Sequence, residues 1–345
     1  MNEVGNRSLD LPIIRMRELE LESLTRGEKH RVLIEVMDDA LGQPLELPVL
    51  VARGRRDGPV FGLTAALHGN EINGIPVIHK LFENIELTQL RGTIVAVCVV
   101  NVPGFRLHQR VMDNGTDLNM IFPGRAKGNV PQVFAHRFMQ RVVSKFDRLL
   151  DLHTASFGRV NSLHARVDMD DPLARRMAYL LRPQIILHNR ASDRTLRGTA
   201  TAANIPAVTI EIGDPQRFQP NFIRSTLQGT RRLLQEAKML PKKKIQLGPE
   251  PVICESSRWH YTDRGGLLTV FPGLKDTVAK GQVIASLRNA FGDLICEYKA
   301  PRDGIIIGKS VNPVGAAGAR IAHIGKIATE GRFPHRDASN DSTPP

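Results

Sequence analysis

Short β-branched runs alternating with segments of helical spacing occupy most of residues 30 to 240, and this rhythm narrows the fold more than any other feature. HRVLIEVM, LPVLVAR, VFGLTAAL, GTIVAVCVV, PQIILH and AVTIEIG read as strands, and RLLDLH as a buried one. GIPVIHKLFENI and VPQVFAHRFMQRVVSKF interrupt them with apolar residues at helical spacing. PNFIRSTLQGTRRLLQEAKML adds a long amphipathic helix that closes the unit near Leu240. The alternation predicts an α/β sheet.

The texture changes after about residue 250. PKKKIQLGPEP combines prolines, glycine and a basic run and marks a linker, dividing a body at 1–245 from a module at 246–330. The module has short strands with Gly and Pro turns and no helical periodicity, which predicts a small all-β domain. Its PG turn, VAKGQV and APRDG resemble the barrel-like lipoyl and biotinyl carrier domains. A carrier lysine belongs at a hairpin tip, and SLRNAFGDL has none there. The module is therefore expected to be structural. GRFPHRDASNDSTPP, polar and proline-ended, is expected to be a disordered tail over 331–345.

At 345 residues the chain suits about two domains. No apolar run approaches the roughly 20 residues that span a bilayer, so no membrane partner is expected. The start, MNEVGNRSLDLPIIRMRELELES, lacks a continuous apolar stretch of the signal-peptide kind, which points to the cytoplasm. Cys98, Cys254 and Cys296 are far apart and fit buried free thiols rather than a disulfide framework or a thiolate zinc site. The net charge of +12 is diffuse, and its densest run, Lys242 to Lys244, is too short for a binding arm. Nucleic acid is not expected as a partner.

AALHGNEIN holds the chemistry. His68 and Glu71 follow the strand VFGLTAAL, at the carboxyl edge where open α/β sheets place ligands. An imidazole and a carboxylate there suit one zinc ion. Asp151 and His153 end another strand, RLLDLH, and period-two alternation sets them on the same side. His153 is the expected third ligand, with Asp151 behind it. Two histidines and one carboxylate leave a position open for water, and Glu211 in AVTIEIGDP can take that water's proton and pass it to a leaving amine.

HGNE from His68 to Glu71, DLNMIFPG from Asp117 to Gly124, DLHT from Asp151 to Thr154 and EIG from Glu211 to Gly213 together resemble the succinylglutamate desuccinylase and aspartoacylase family, relatives of the zinc carboxypeptidases. The resemblance spans about residues 30 to 330. It implies a carboxypeptidase-like mixed sheet flanked by helices, in place of the all-parallel sheet suggested by the rhythm alone. It also implies one zinc held by His68, Glu71 and His153, with Glu211 as general base and acid. Arg110 is the nearest match to an arginine that polarises the scissile carbonyl, Asn119 contacts substrate and Asp117 orients its neighbours. One departure stands out: the family's DLNR is DLNM here, so Met120 replaces an arginine expected to pair with a substrate carboxylate, and Arg125 is the nearby alternative. The implied activity is zinc-dependent hydrolysis of the amide of a small N-acylated amino acid or related amine. The rivals are a carboxypeptidase-like peptidase and a catalytically silent zinc-containing binding protein. A homo-oligomer is compatible with all three.

Overall fold

Strand pairing joins the alternating runs into one mixed sheet. The computed structural model describes residues 11–192, 194–243 and 248–334. In chain order the strands of the body are β1 (Ile13–Met16), β2 (Glu28–Asp38), β3 (Pro44–Arg53), β4 (Arg56–Ala65), β5 (Arg91–Val97), β6 (Arg148–His153), β7 (Arg159–Asn161), β8 (Leu163–Val167), β9 (Ile185–His188) and β10 (Ala207–Ile212). They are followed by β11 (Val252–Tyr261), β12 (Gly266–Val270), β13 (Thr277–Val278), β14 (Val283–Arg288), β15 (Leu294–Lys299), β16 (Gly304–Ser310), β17 (Val314–Gly315) and β18 (Arg320–Ile327). The helices are α1 (Gly74–Asn84), α2 (Val102–Arg106), α3 (Val130–Arg141), α4 (Pro172–Leu181), α5 (Leu196–Ala202) and α6 (Pro220–Glu236).

The main sheet has 14 strands in the order β1-β2-β3-β5-β4-β6-β10-β8-β9-β11-β18-β16-β13, with β7 beside β16. β5, β4, β6 and β10 run parallel, whereas β2–β3, β3–β5 and β10–β8 are antiparallel. The sheet is thus mixed, as the resemblance implied. β10 is buried at every position and β6 at all but its first, so Asp151, His153, Thr209 and Glu211 stand out as polar residues in otherwise apolar buried strands. α1 and α4 each pack on α6, α3 lies against β2, and α5 against β6 and β10. Proline in the first turn starts α2, α3, α4 and α6, where its missing N–H has no intrahelical partner to lose.

The linker region does not end the sheet. β11 adds in parallel to β9 and carries β18 on its other side. A small apolar seam of Ile185, Leu187, Cys254, Ile305 and Ile307 fills this junction. The second sheet, β15-β14-β12-β17, packs with the first around Leu268, Ile284, Leu287, Ile306 and Ile324. The division drawn between residues 245 and 246 falls outside the described residues. Cys98 and Cys254 are buried free thiols, and Cys296 is a half-buried one. β14 and β15 form the hairpin expected of SLRNAFGDL, and Phe291 at its tip is 93% exposed. The start of the segment read as a tail is held instead: Tyr179 donates to the Phe333 carbonyl at 2.6 Å, and the Phe333 ring lies 5.2 Å from His188. Residues 335–345 lie outside the described residues.

Candidate metal centre and active site

Three parallel neighbours, β4, β6 and β10, deliver their carboxyl ends to the same edge. His68 lies just beyond β4, His153 ends β6, and Glu211 in β10 pairs in register with His153. The turn after β4 is tight. Ala66 has φ +49, and a Cβ on Gly69 would stand 2.1 Å from the backbone of Gly104 and Phe105. Glycine at 69 lets the loop press against α2, and that approach brings His68 and Glu71 to one point.

Their donor atoms meet there. His68 Nδ1 is 2.9 Å from Glu71 Oε1, and His153 Nδ1 is 2.9 Å from Glu71 Oε2 and 3.2 Å from His68 Nδ1. All three side chains are buried. The far nitrogens face carboxylates: His68 Nε2 is 3.1 Å from Asp117 Oδ1, and His153 Nε2 is 2.8 Å from Asp151 Oδ2. Thr64 donates to the other Asp151 oxygen at 2.7 Å, which fixes that carboxylate in turn. With each Nε2 turned to a carboxylate, both Nδ1 atoms and the Glu71 carboxylate converge on one point, where either a proton on an imidazole or a bound cation offsets the negative charge. A cation bound by two imidazoles and a carboxylate, with carboxylates behind the imidazoles, fits this set. Among the described residues a second possible grouping, Asp168, Asp170 and His188, lies partly exposed, with Asp170 already bonded to Arg190 at 2.6 Å.

Electrostatics agree with an ion-pair cluster. Burial alone would raise the Glu71 carboxyl, but His68 and His153 outweigh it and hold it well below the usual carboxylate range. Burial would likewise lower His153, yet Asp151 and Glu71 raise it well above its ordinary value. Asp117 is depressed despite burial, by His68 first and Arg110 after it.

Arg110 and Asp117 meet across the insertion between them, because a turn bonds Gly115 N to the Met112 carbonyl and Met112 N to the Thr116 carbonyl. Arg110 Nε donates to Asp117 at 3.0 Å and its Nη1 to Glu71 at 2.8 Å and to Ser156 Oγ. Glu211 is mostly buried. Asn161 Nδ2 donates to its Oε2 at 3.2 Å, and Arg166 Nη1 lies 3.8 Å from its Oε1. Asn119 Oδ1 accepts from Leu196 N at 2.9 Å.

A cavity of about 390 Å³ opens over this cluster, lined by His68, Glu71, His153, Arg110, Asn119 and Glu211 together. Met120 is 54% exposed and does not line it, and neither does the exposed Arg125. Sequence reading did not find the rest of the lining. Arg159, Arg166, Arg190 and Arg197 contribute guanidinium groups, and Trp259 and His323 reach in from β11 and β18. His323 stacks on Trp259 with centroids 5.0 Å apart, and Arg159 and Arg320 each lie 5.6 Å from the centroid of the indole ring. Burial pushes both His164 and His323 below the ordinary histidine value, so this wall presents neutral imidazoles at neutral pH. Trp259, the sole tryptophan, was the one available signal; the arginines carry none in isolation.

A mixed α/β sheet whose strand ends bring two histidines and a carboxylate together defines a protein with a candidate single-ion centre. Residues 57–237 match the succinylglutamate desuccinylase/aspartoacylase catalytic domain, and the chain belongs to that family. An N-alpha-acetyl-L-2,4-diaminobutyric acid deacetylase from Halomonas elongata is 28% identical over 307 residues, covering 84% of this chain and 88% of that one. The product-bound ectoine utilization protein EutE (DoeB) from Ruegeria pomeroyi shares the fold with a TM-score of 0.79 at 22% identity, over 88% of this chain and 97% of that one. A succinylglutamate desuccinylase/aspartoacylase from Rhodobacter sphaeroides shares it with a TM-score of 0.79 at 18% identity, over 92% and 100%. No helix among the described residues is long and apolar enough to cross a membrane.

Proposed function

We propose that this chain is a zinc-dependent deacylase that hydrolyses the amide of an N-acylated amino acid. The convergence of His68, Glu71 and His153 beneath a cavity shared with Glu211 is the observation that carries the reading. His68, Glu71 and His153 would hold the ion, which when bound would supply Lewis acidity and acidify a water. Glu211 accepts that water's proton and delivers it to the departing nitrogen, the two halves of general base and acid work. Asn161 orients Glu211. Arg110, anchored by Asp117, Glu71 and Ser156, directs its positive charge at the oxygen that becomes anionic as the carbonyl is attacked. Asn119 is fixed by Leu196 N and contributes to the substrate wall.

The cavity favours a small substrate over a peptide, because β11 and β18 wall it with Trp259 and His323. Nα-acetyl-L-2,4-diaminobutyrate, named for the Halomonas relative, is the first compound to try. Zinc-loaded protein should release acetate from it or from another N-acyl amino acid, followed by amine detection, while short peptides are left intact. Peptide cleavage in preference to N-acyl amino acids would favour the peptidase. Binding of the same compounds without any turnover would leave a silent binding protein.

A further inference from the structure

The arginines around the cavity are not equivalent. Arg110 is taken up by Glu71, Asp117 and Ser156, Arg190 by Asp170, and Arg197 by the carbonyl and side-chain oxygens of Asn189 at 2.9 and 2.7 Å. Arg159 lies over the Trp259 ring. Arg166 differs. Its Nε is buried without a hydrogen-bond partner, its Nη1 stops 3.8 Å from Glu211, and its side chain is 41% exposed, on the cavity wall. β8 sets Arg166 opposite Thr209 of β10, two positions before Glu211, so strand alternation turns both side chains to one face. Arg197, pushed down to about 10 by burial first and by Arg166 second, adds a neighbouring cation, and two such charges favour an anion beside them.

In an N-acyl amino acid the departing nitrogen is one carbon away from the α-carboxylate. A guanidinium beside the group that protonates this nitrogen is therefore placed for that carboxylate, which it can grip in a two-pronged charge-assisted contact. We propose that Arg166 binds the α-carboxylate and selects substrates with a free acid next to the scissile amide, an inference that rests on the deacylase reading above. The anchor then comes from β8 rather than from the loop that holds Met120 and Arg125.

The test compares Nα-acetyl-L-2,4-diaminobutyrate with its α-carboxamide. Calorimetry on the zinc-loaded Glu211→Gln protein, which need not turn over, should show the acid bound about 10- to 100-fold more tightly, as expected for charge-assisted hydrogen bonds. Adding Arg166→Met should erase that preference, Arg166→Lys should restore part of it, and Arg125→Met, away from the cavity, should leave it. In proteins that retain Glu211, Arg166→Met should raise KM for the acid and spare the amide. Equal binding of acid and amide, no binding of the acid, or a preference that survives Arg166→Met overturns the assignment. A fall in kcat that is the same for both compounds also overturns it, because Arg166 would then act through Glu211. If the acid preference depends on Arg166 while no protein hydrolyses anything, the anchor stands and the deacylase reading fails.

Discussion

Glu211 and His153 face each other across adjacent parallel strands, yet replacing them should have different consequences. Glu211→Gln should retain about one zinc per chain and lose roughly 10²- to 10⁴-fold in turnover, the usual contribution of a placed base. His153→Ala should lose most of the metal, as elemental analysis would read directly. Wild-type turnover in the first variant, or full occupancy in the second, would reassign these residues. A proton is also at stake. Asp151 and Glu71 hold His153 charged above its ordinary range. The stability this pair contributes is therefore complete at low pH and is lost as pH rises through the elevated value. If His153 is a ligand as proposed, zinc binding would displace that proton, so calorimetry in buffers of different ionisation enthalpy should show proton release, and apparent affinity should rise with pH. At this scale the sequence was informative where a side chain ends a strand: His68, His153 and Glu211 could be read from their places after apolar runs, and Asp151 from its alternation with His153. Arg166, Asn161 and Ser156 gave no such sign. Their positions in the site depend on strand pairings among β7, β8, β10 and β16 that no local pattern specifies.

At the level of turns and strands, two glycines translate backbone geometry into site geometry. Gly69 is set against α2 so closely that a methyl group would meet the Gly104 backbone at 2.1 Å. Gly69→Ala should cost about 1–3 kcal/mol, typical of overpacking, and lower zinc occupancy by moving His68 and Glu71 apart. Thermal melting together with metal analysis would check both effects. Gly213 follows the strand that carries Glu211, with φ +70, and a Cβ there would lie 2.1 Å from Gln219 Oε1. Gly213→Ala should reduce turnover with less loss of metal, because the displaced strand end carries Glu211, the proposed base, rather than a proposed ligand. The long apolar elements were legible for the reason that made them buried. β1 and the three-residue β7 are short, and α5, LRGTATA, has little helical pattern, so neither periodicity nor length distinguishes them from loops.

Across the whole molecule, the parallel join of β9 to β11 makes the C-terminal strands part of the sheet that carries the site. A chain stopped near residue 243 would bare the β9 edge together with Ile185 and Leu187. Such a truncation should aggregate or melt earlier than the full chain, as light scattering during a thermal ramp would reveal. The hairpin tip that carries Phe291 in place of a lysine should remain unmodified, and intact-mass measurement from native cells should show no lipoyl or biotinyl adduct. The same continuity explains a limit of reading by composition: the linker-like PKKKIQLGPEP signalled a change of texture, but a chain can change texture and remain in one sheet.

The indole of Trp259 gives the molecule an optical property that none of its chemistry requires. Because the chain has a single tryptophan, all indole emission arises from the cavity wall, where the ring is stacked on His323 and flanked by Arg159 and Arg320. A ligand entering the cavity changes the polarity and the charges around the only fluorophore excited at the red edge of protein absorption. Titrations and stopped-flow mixing can therefore follow occupancy in the unlabelled protein, before any bond is broken.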